Sequence, residues 1–469
     1  KEEVMRTKLI CALLALCLFC SGCSVMDLDT QNLMSPPKAT GDKADIQRVI
    51  EESAGSYTFK YPQKGDYRSA VIMHDINGDG TDEAVAFYKS NAPDGVSDIT
   101  VIFIDQISGE WQRIAAFQNS AAEVERVCFS DLNGDGWDSV LIGWSNYSSA
   151  NQATVFRYEN GEVKPSDLEY SYTDLALEDF DRDGTDELFM SSVNTADKSA
   201  AARLLKYSEA SDSLVNVSEV EMNQEVTQYA SFQAGELENG YRGVYIDGVK
   251  SGNQMTTELV YWDPEEQKLQ APFYSSDSSN KISLTRPAGV TCMDINEDGV
   301  IEIPAARPFE GNAAASNTVM PAMDERAASS AVPAYITQWQ QYFPQEKELV
   351  SIQNMYVNTE EGYYFLMPSS WLETVTGALE AGERQFIFSE WVVNDEGVGA
   401  SGAVILKIGV FTKANWDAHI TATREFTSVL ETEDTVYAVS IPESGGDKAI
   451  SYQDAAKRFG LIESDNLTN

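Results

Sequence analysis

The chain has 469 residues, of which 33 are Lys or Arg and 74 are Asp or Glu, giving a formal net charge of −41. A phosphate backbone attracts a basic surface, so this composition excludes a nucleic-acid partner held by charge. Hydrophobic residues make up 43% of the chain, enough for a sizeable core, whereas only two histidines, His74 and His419, are available for imidazole-based catalysis or metal binding.

The first 23 residues are typical of a secretory signal peptide. Arg6 and Lys8 precede an apolar run over 9–20 that is too short to span a bilayer. The sequence Cys-Ser-Gly-Cys that follows, ending at Cys23, resembles the lipobox of bacterial lipoproteins, although such boxes usually begin with Leu. The resemblance implies that Cys23 is lipidated and anchors the protein at the outer face of the bacterial cytoplasmic membrane or in the cell envelope; an ordinary cleaved signal is the alternative. Residues 24–45 are predicted to form a flexible tether.

Four acidic loops share one pattern, with oxygen-bearing side chains at positions 1, 3 and 5 and glycine at position 6. We call them the first to fourth acidic loops; they are residues 75–83, 131–139, 179–187 and 294–302. The interval between the third and fourth loops is about twice each of the other two. A divergent fifth copy of the pattern, called the worn copy below, is therefore expected near Gly235, where the glycines persist but the acidic ligands do not. Five units of roughly 50 residues therefore run from about residue 57 to 350.

The spacing of these loops predicts calcium binding. Oxygens at positions 1, 3 and 5 converge when the chain turns at the glycine, and a carbonyl at position 7 with a carboxylate at position 9 completes the set. The second loop has Ser139 at position 9. An EF-hand is excluded because position 12 is never acidic and the loops are followed by apolar runs typical of strands. The alternative is a set of Asx-rich turns without metal.

Between the loops, short apolar segments and hairpin turns give each unit about four strands, the content of one propeller blade. These units resemble the FG-GAP or VCBS repeats of integrin alpha-subunit propellers and of bacterial surface proteins. The resemblance implies a mainly β fold, a β-propeller of five to seven blades over residues 46–350, with Ca²⁺ in the loops. The ligands it implies are Asp75, Asn77, Asp79, Thr81 and Glu83; Asp131, Asn133, Asp135 and Trp137; Asp179, Asp181, Asp183, Thr185 and Glu187; and Asp294, Asn296, Asp298, Val300 and Glu302.

The four loops are predicted to differ in calcium affinity. The third loop carries Asp181 where the others have asparagine, and this extra charge predicts the highest affinity. The first and fourth loops follow, and the second loop is last because Ser139 cannot replace a carboxylate.

From residue 351 to 469 no acidic loop occurs. Alternating strand-like segments and a helical stretch at 452–459 predict a small, separate α+β domain.

The leading functional hypothesis is a non-catalytic, lipid-anchored, calcium-binding surface protein whose propeller binds a glycan or a protein. The alternative is an envelope polysaccharide hydrolase or lyase that uses paired carboxylates as acid and base. The first hypothesis is favoured because the obvious acid clusters have the spacing of cation ligands, and a cation-bound carboxylate is a poor proton donor.

Overall fold

A computed structural model describes residues 41–91, 98–147, 149–159, 161–274, 284–311, 334–419 and 421–462. Most of these residues lie in antiparallel β-strands, so the prediction of a mainly β chain is confirmed. Within these ranges no helix has the length and apolarity needed to cross a membrane. The predicted signal peptide, Cys23 and the predicted tether as far as residue 40 lie outside the described residues.

The described chain divides into two compact units. The first contains the residues up to 60, 70–74 and 81–120, and the second contains 61–69, 75–80 and everything from 121 onward.

The first unit is a five-stranded sheet with one helix. Strand β3 pairs with β1, β2 and β4, and β4 pairs with β5. The elements are helix α1 (Asp42–Ala54) and strands β1 (Tyr57–Lys60), β2 (Val71–His74), β3 (Glu83–Ser90), β4 (Ile99–Ile107) and β5 (Glu110–Asn119).

Helix α1 corrects the predicted tether, which was placed over 24–45. The helix begins at Asp42, and its residues Ile46, Val49 and Ile50 belong to one buried cluster with Ile102 of β4. Helical spacing places these three side chains on one face, so their burial anchors the helix. Residues 42–45 therefore belong to the first turn of α1. The positive end of the helix dipole stabilises the negative charges of Asp42 and Asp45 there.

Three sheets of the second unit repeat one pattern, in which four strands follow one another in chain order and pair in that order. Their strands are β6 (Glu123–Ser130), β7 (Ser139–Asn146), β8 (Ser149–Glu159) and β9 (Glu162–Asp167); β10 (Asp174–Glu178), β11 (Glu187–Asn194), β12 (Ser199–Ser208) and β13 (Ser213–Glu221); and β14 (Gln228–Glu236), β15 (Arg242–Lys250), β16 (Gln254–Asp263) and β17 (Lys268–Gln270), with β18 (Arg286–Pro287) also pairing with β16. The second strand of each sheet is almost entirely buried over its first six residues, as the apolar runs after the loops predicted.

Two further sheets complete the second unit, in the strand orders β19-β20-β21-β22-β28 and β23-β24-β25-β27-β26. The elements are β19 (Ile303–Pro308), β20 (Tyr335–Phe343), β21 (Glu348–Asn358), β22 (Tyr363–Leu366), β23 (Val375–Glu380), β24 (Gln385–Val393), β25 (Gly399–Thr412), helix α2 (Lys413–Asp417), β26 (Thr427–Glu431), β27 (Thr435–Ser440), helix α3 (Tyr452–Arg458) and β28 (Phe459–Leu461).

The predicted domain boundary at residues 350/351 needs correction. It falls inside β21, and the sheet that contains β21 joins β19 and β20 to β22 and β28 near the end of the described chain. The same buried cluster contains Phe309 and Ile336 together with Trp371 and Phe386. The region 351–462 therefore shares both a sheet and a hydrophobic core with the segment before it.

Candidate metal centre

All four acidic loops have the same local backbone conformation. In each, the backbone N–H of the position-6 glycine donates to the position-1 aspartate at 2.8–3.0 Å. The four glycines, at positions 80, 136, 184 and 299, have φ between 88° and 92°. Only glycine adopts this left-handed conformation without strain, which explains why it recurs at position 6.

Positions 3, 5 and 7 continue this pattern. The position-5 N–H donates to the position-3 oxygen in the first, third and fourth loops at 2.9–3.3 Å. The position-7 N–H donates to the position-5 carboxylate in the second, third and fourth loops at 2.9–3.0 Å, from Trp137, Thr185 and Val300. These internal bonds hold the predicted ligand side chains on the inside of each turn.

The third loop lies between β10 and β11 and brings four carboxylates together. Asp179, Asp181, Asp183 and Glu187 each place an oxygen within 4.8 Å of the others. Glu187 is the first residue of β11 and is fully buried. Its Oε2 accepts hydrogen bonds from the N–H groups of Phe180 at 2.8 Å and Asp181 at 3.3 Å, but its buried Oε1 accepts none. A nearby cation stabilises a desolvated oxygen of this kind.

A lysine that the sequence analysis did not single out supplies that charge. Lys206, on β12, places Nζ 2.8 Å from Asp183 Oδ2 and 3.2 Å from Glu187 Oε1, and also contacts Asp181 Oδ2. The contact with Glu187 is an ion pair without hydrogen-bond geometry. The lysine ammonium thus lies among the oxygens that were predicted to bind calcium.

The charges in the third loop shift one another's ionisation. Burial, followed by the charge of Asp181, raises the pKa of Glu187 to about 7. Hydrogen bonds from Lys206 and Thr185 lower the pKa of Asp183. Burial lowers the pKa of Lys206, but its hydrogen bonds to Asp181 and Asp183 outweigh that effect and raise it. Lys206 is therefore charged at neutral pH.

The fourth loop precedes β19 and has the same arrangement with a neutral neighbour. Asp294, Asp298 and Glu302 place carboxylate oxygens within 4.8 Å of one another, and Glu302 is fully buried. Here Gln341 of β20 donates from Nε2 to Asp298 Oδ2 at 3.0 Å and to Glu302 Oε1 at 2.7 Å. Asn296 Nδ2 donates to Asp298 Oδ2 at 2.9 Å. Burial raises the pKa of Glu302.

The second loop lacks the buried carboxylate. Its position 9 is Ser139, which is buried at the start of β7, and Asn133 Nδ2 donates to Asp135 Oδ2 at 2.8 Å. On the neighbouring strand β8, Arg157 pairs with Asp212 at 2.7 Å. The order of calcium affinities expected from the sequence stays a prediction.

The predicted ligands of the first loop are divided between the two units. Asp75, Asn77 and Asp79 lie in the second unit, whereas Thr81 and Glu83 lie in the first. Glu83 begins β3 and is fully buried there, like the position-9 glutamates of the third and fourth loops.

Successive loops of the second unit touch one another through positions 4 and 7. A Cβ placed on Gly78 would lie 2.5 Å from the Trp137 ring, and one on Gly134 would lie 3.1 Å from the Thr185 methyl group. Farther along, Arg182 lies against Gly240 in the worn copy between β14 and β15, where a Cβ would be 2.8 Å from its guanidinium. The same relation thus recurs from one repeat to the next.

Comparisons with known proteins do not identify a family. No family model matches the chain, and no curated protein matches it. Among solved structures, the Dos1 propeller is 11% identical with a TM-score of 0.30, covering 81% of this chain and 80% of that one. The exo-beta-1,3-galactanase 1,3Gal43A from Clostridium thermocellum is also 11% identical, with a TM-score of 0.29, covering 86% of this chain and 98% of that one.

Proposed function

We propose that the chain is a lipid-anchored, calcium-binding surface protein whose FG-GAP/VCBS-type β-propeller presents a binding face to a glycan or a protein. The calcium proposal depends on the fourth loop. There the exposed Asp294 and Asp298 and the buried Glu302 place carboxylate oxygens within 4.8 Å of one another. Carboxylate and amide oxygens are the ligands that Ca²⁺ prefers, and the fourth loop offers both kinds.

Gln341 makes the fourth loop adaptable to a metal. Its side chain is only 3% exposed and its Nε2 points at Asp298 and Glu302. Rotation of the terminal amide by half a turn presents Oε1 in place of Nε2, because the two ends of the group have nearly the same shape. A bound cation would then have five side chains supplying oxygens: Asp294, Asn296, Asp298, Glu302 and Gln341.

The propeller proposal is supported by recurrence. Sheets β6–β9, β10–β13 and β14–β17 each have four antiparallel strands in chain order, with an acidic loop or its worn copy between the first and second strands. Contacts between the loops of successive repeats also recur at the same positions. Both features are expected of blades that pack side by side.

The anchor and the binding partner are proposed from the sequence. Detection of a lipid-modified Cys23 as the mature N-terminus by mass spectrometry would support the anchor, and an unmodified N-terminus at another residue would contradict it. The net charge of −41 favours partners with cationic groups. A glycan and peptide array probed with and without calcium tests the binding proposal, and turnover of a polysaccharide would instead favour the hydrolase alternative.

Calcium should raise the stability of the protein through the fourth loop. Extracellular sites of this kind have dissociation constants of roughly 0.1 to 1 mM. At about 2 mM calcium, a site with a constant near 0.1 mM adds about 1.8 kcal/mol to the free energy of unfolding. Thermal unfolding with calcium and with a chelator measures this difference.

The variant Asp298→Asn should lose most of the calcium response, whereas Asp417→Asn, which changes an exposed aspartate of α2 outside the loops, should keep it. Magnesium should stabilise less, because it demands stricter octahedral geometry. Equal unfolding temperatures of the parent protein with calcium and with chelator would contradict the calcium proposal.

A further inference from the structure

Lys206 and Gln341 occupy equivalent places beside two acidic loops. Leu188 pairs with Leu205 across β11 and β12, so the preceding Glu187 lies opposite Lys206. Ile303 likewise pairs with Gln340 across β19 and β20, so Glu302 lies opposite Gln341. In both sheets the side chain that faces the position-9 glutamate also contacts the position-5 aspartate. Lys206 Nζ lies 2.8 Å from Asp183 Oδ2, and Gln341 Nε2 lies 3.0 Å from Asp298 Oδ2.

The chemistry of the two side chains differs in the property that matters for a cation. Lysine presents an ammonium with three donors and no acceptor, so no rotation turns it into a ligand. Its nitrogen lies among the third-loop oxygens, where it would repel a second cation at short range. Glutamine is neutral, and its amide can present an oxygen.

The third and fourth loops do not differ in formal net charge. The third loop has four carboxylates and one ammonium, and the fourth has three carboxylates and a neutral amide, so both carry a formal charge of −3 when ionised. What differs is whether a positive charge already lies among the acids.

The surroundings of Glu187 show what Lys206 does in the third loop. Its Oε1 is buried and accepts no hydrogen bond, although Glu302 Oε1 at the equivalent place accepts one from Gln341 at 2.7 Å. Lys206 Nζ lies 3.2 Å from this oxygen and is the charge that compensates it.

We propose that the Lys206 ammonium takes the place of a metal ion in the third loop. The third loop therefore does not bind calcium, whereas the fourth loop does. The proposal rests on the proposed calcium function of the fourth loop. It reverses the affinity order expected from the sequence, which placed the third loop first because of the additional charge of Asp181.

The test is the number of calcium ions bound by the full chain, measured by equilibrium dialysis and calorimetry. Lys206→Gln should gain one site relative to the parent protein, because it places in the third loop the residue that the fourth loop has. Gln341→Lys should lose one site. The matched control Lys407→Gln, which removes a lysine whose ion pair with Glu425 lies away from the loops, should leave the number unchanged.

Stability gives a second readout that does not depend on counting sites. Lys206→Gln should unfold at lower temperature than the parent in chelator, because four carboxylates then repel one another, and should recover in calcium. Far-UV circular dichroism in calcium establishes that the variant folds. If it does not fold, Gln341→Lys still tests the proposal, since that variant adds a cation where the parent has none.

Two results would overturn the proposal. One is loss of a calcium site when Asp183→Asn is introduced into the parent, which would mean that calcium displaces Lys206. The other is an unchanged number of sites in both Lys206→Gln and Gln341→Lys. A parent that binds no calcium, together with a Lys206→Gln variant that binds one ion, would contradict the proposed function of the fourth loop but support the role of Lys206.

Discussion

The repeat sheets β6–β17 and the C-terminal region 351–462 are held together by different means. Each repeat sheet carries a polar loop or its worn copy between its first two strands, and neighbouring loops touch. The C-terminal region has no such loop among its described residues, and its core is a cluster of aromatic rings and aliphatic side chains. The repeats therefore combine their hydrophobic cores with local polar turns, whereas the C-terminal region depends on packing between residues far apart in sequence.

The largest effect is expected from the centre of the aromatic core. Trp371 is 1% exposed, packs against Phe365 and Phe388 with ring centroids 6.0 and 5.3 Å away, and donates from Nε1 to the carbonyl of Lys448 at 3.2 Å. Trp371→Ala should lower the free energy of unfolding by about 3–5 kcal/mol, because it leaves a large cavity in a packed cluster. Chemical denaturation followed by circular dichroism measures this loss.

The variant Trp371→Phe serves as the control, since it keeps a ring and loses the hydrogen bond and part of the volume. It should cost less than Trp371→Ala. Because Phe309 and Ile336 belong to the same core, the Trp371→Ala variant should also unfold the sheet β19–β22 in the same transition. A separate, unchanged transition for that sheet would support the domain boundary predicted at residue 350.

The sheet β14–β17 contains an ion pair in which both side chains are buried. Asp247 and Arg286 have side chains 0% and 3% exposed and pair at 2.6 Å. Thr257 Oγ1 also donates to Asp247 Oδ1 at 2.7 Å, and the Cys292 N–H donates to Oδ2 at 2.7 Å. This network links β15 to the segment that precedes the fourth acidic loop. In this repeat the loop lacks the aspartates at positions 1, 3 and 5, and the Asp247–Arg286 ion pair lies in the core.

Removal of the guanidinium should therefore have a large effect that calcium cannot reverse. Arg286→Met leaves Asp247 buried without its cation and should cost about 3 kcal/mol, the lower end for a broken buried pair, because Thr257 and Cys292 still donate to the carboxylate. Lys413→Met, which breaks exposed ion pairs with Asp417 and Glu431, should cost far less, because water screens both pairs.

Unfolding in urea with and without calcium measures both variants. If Arg286→Met lowered the free energy of unfolding as little as Lys413→Met, burial of the Asp247–Arg286 pair would contribute little to stability. The proposed difference between the buried pair and exposed charges would then be wrong.

The same contrast explains how much could be predicted from the sequence. The acidic loops could be predicted because their acids, glycine and position-9 glutamate lie within nine consecutive residues, as in 179–187. Lys206 could not be assigned to the third loop without the register of β11 and β12, which places it opposite Glu187. The boundary at residue 350 failed for a related reason, because the contact between Phe309 and Phe386 joins residues that no local pattern relates.

The smallest effect is expected from alanine substitutions at two loop glycines. Comparing them distinguishes backbone strain within an acidic loop from contact with the next loop. Gly136 has φ 88° and nothing within 4 Å of an added Cβ, whereas Gly78 has φ 70° and an added Cβ would lie 2.5 Å from Trp137 Cδ1. Gly136→Ala should therefore cost about 1 kcal/mol from left-handed strain alone. Gly78→Ala should cost more, but only by a fraction of that, because Trp137 is 44% exposed and its ring can move aside. Urea midpoints of the two variants give the difference, and equal midpoints would mean that the ring of Trp137 contributes nothing to packing between the first and second loops.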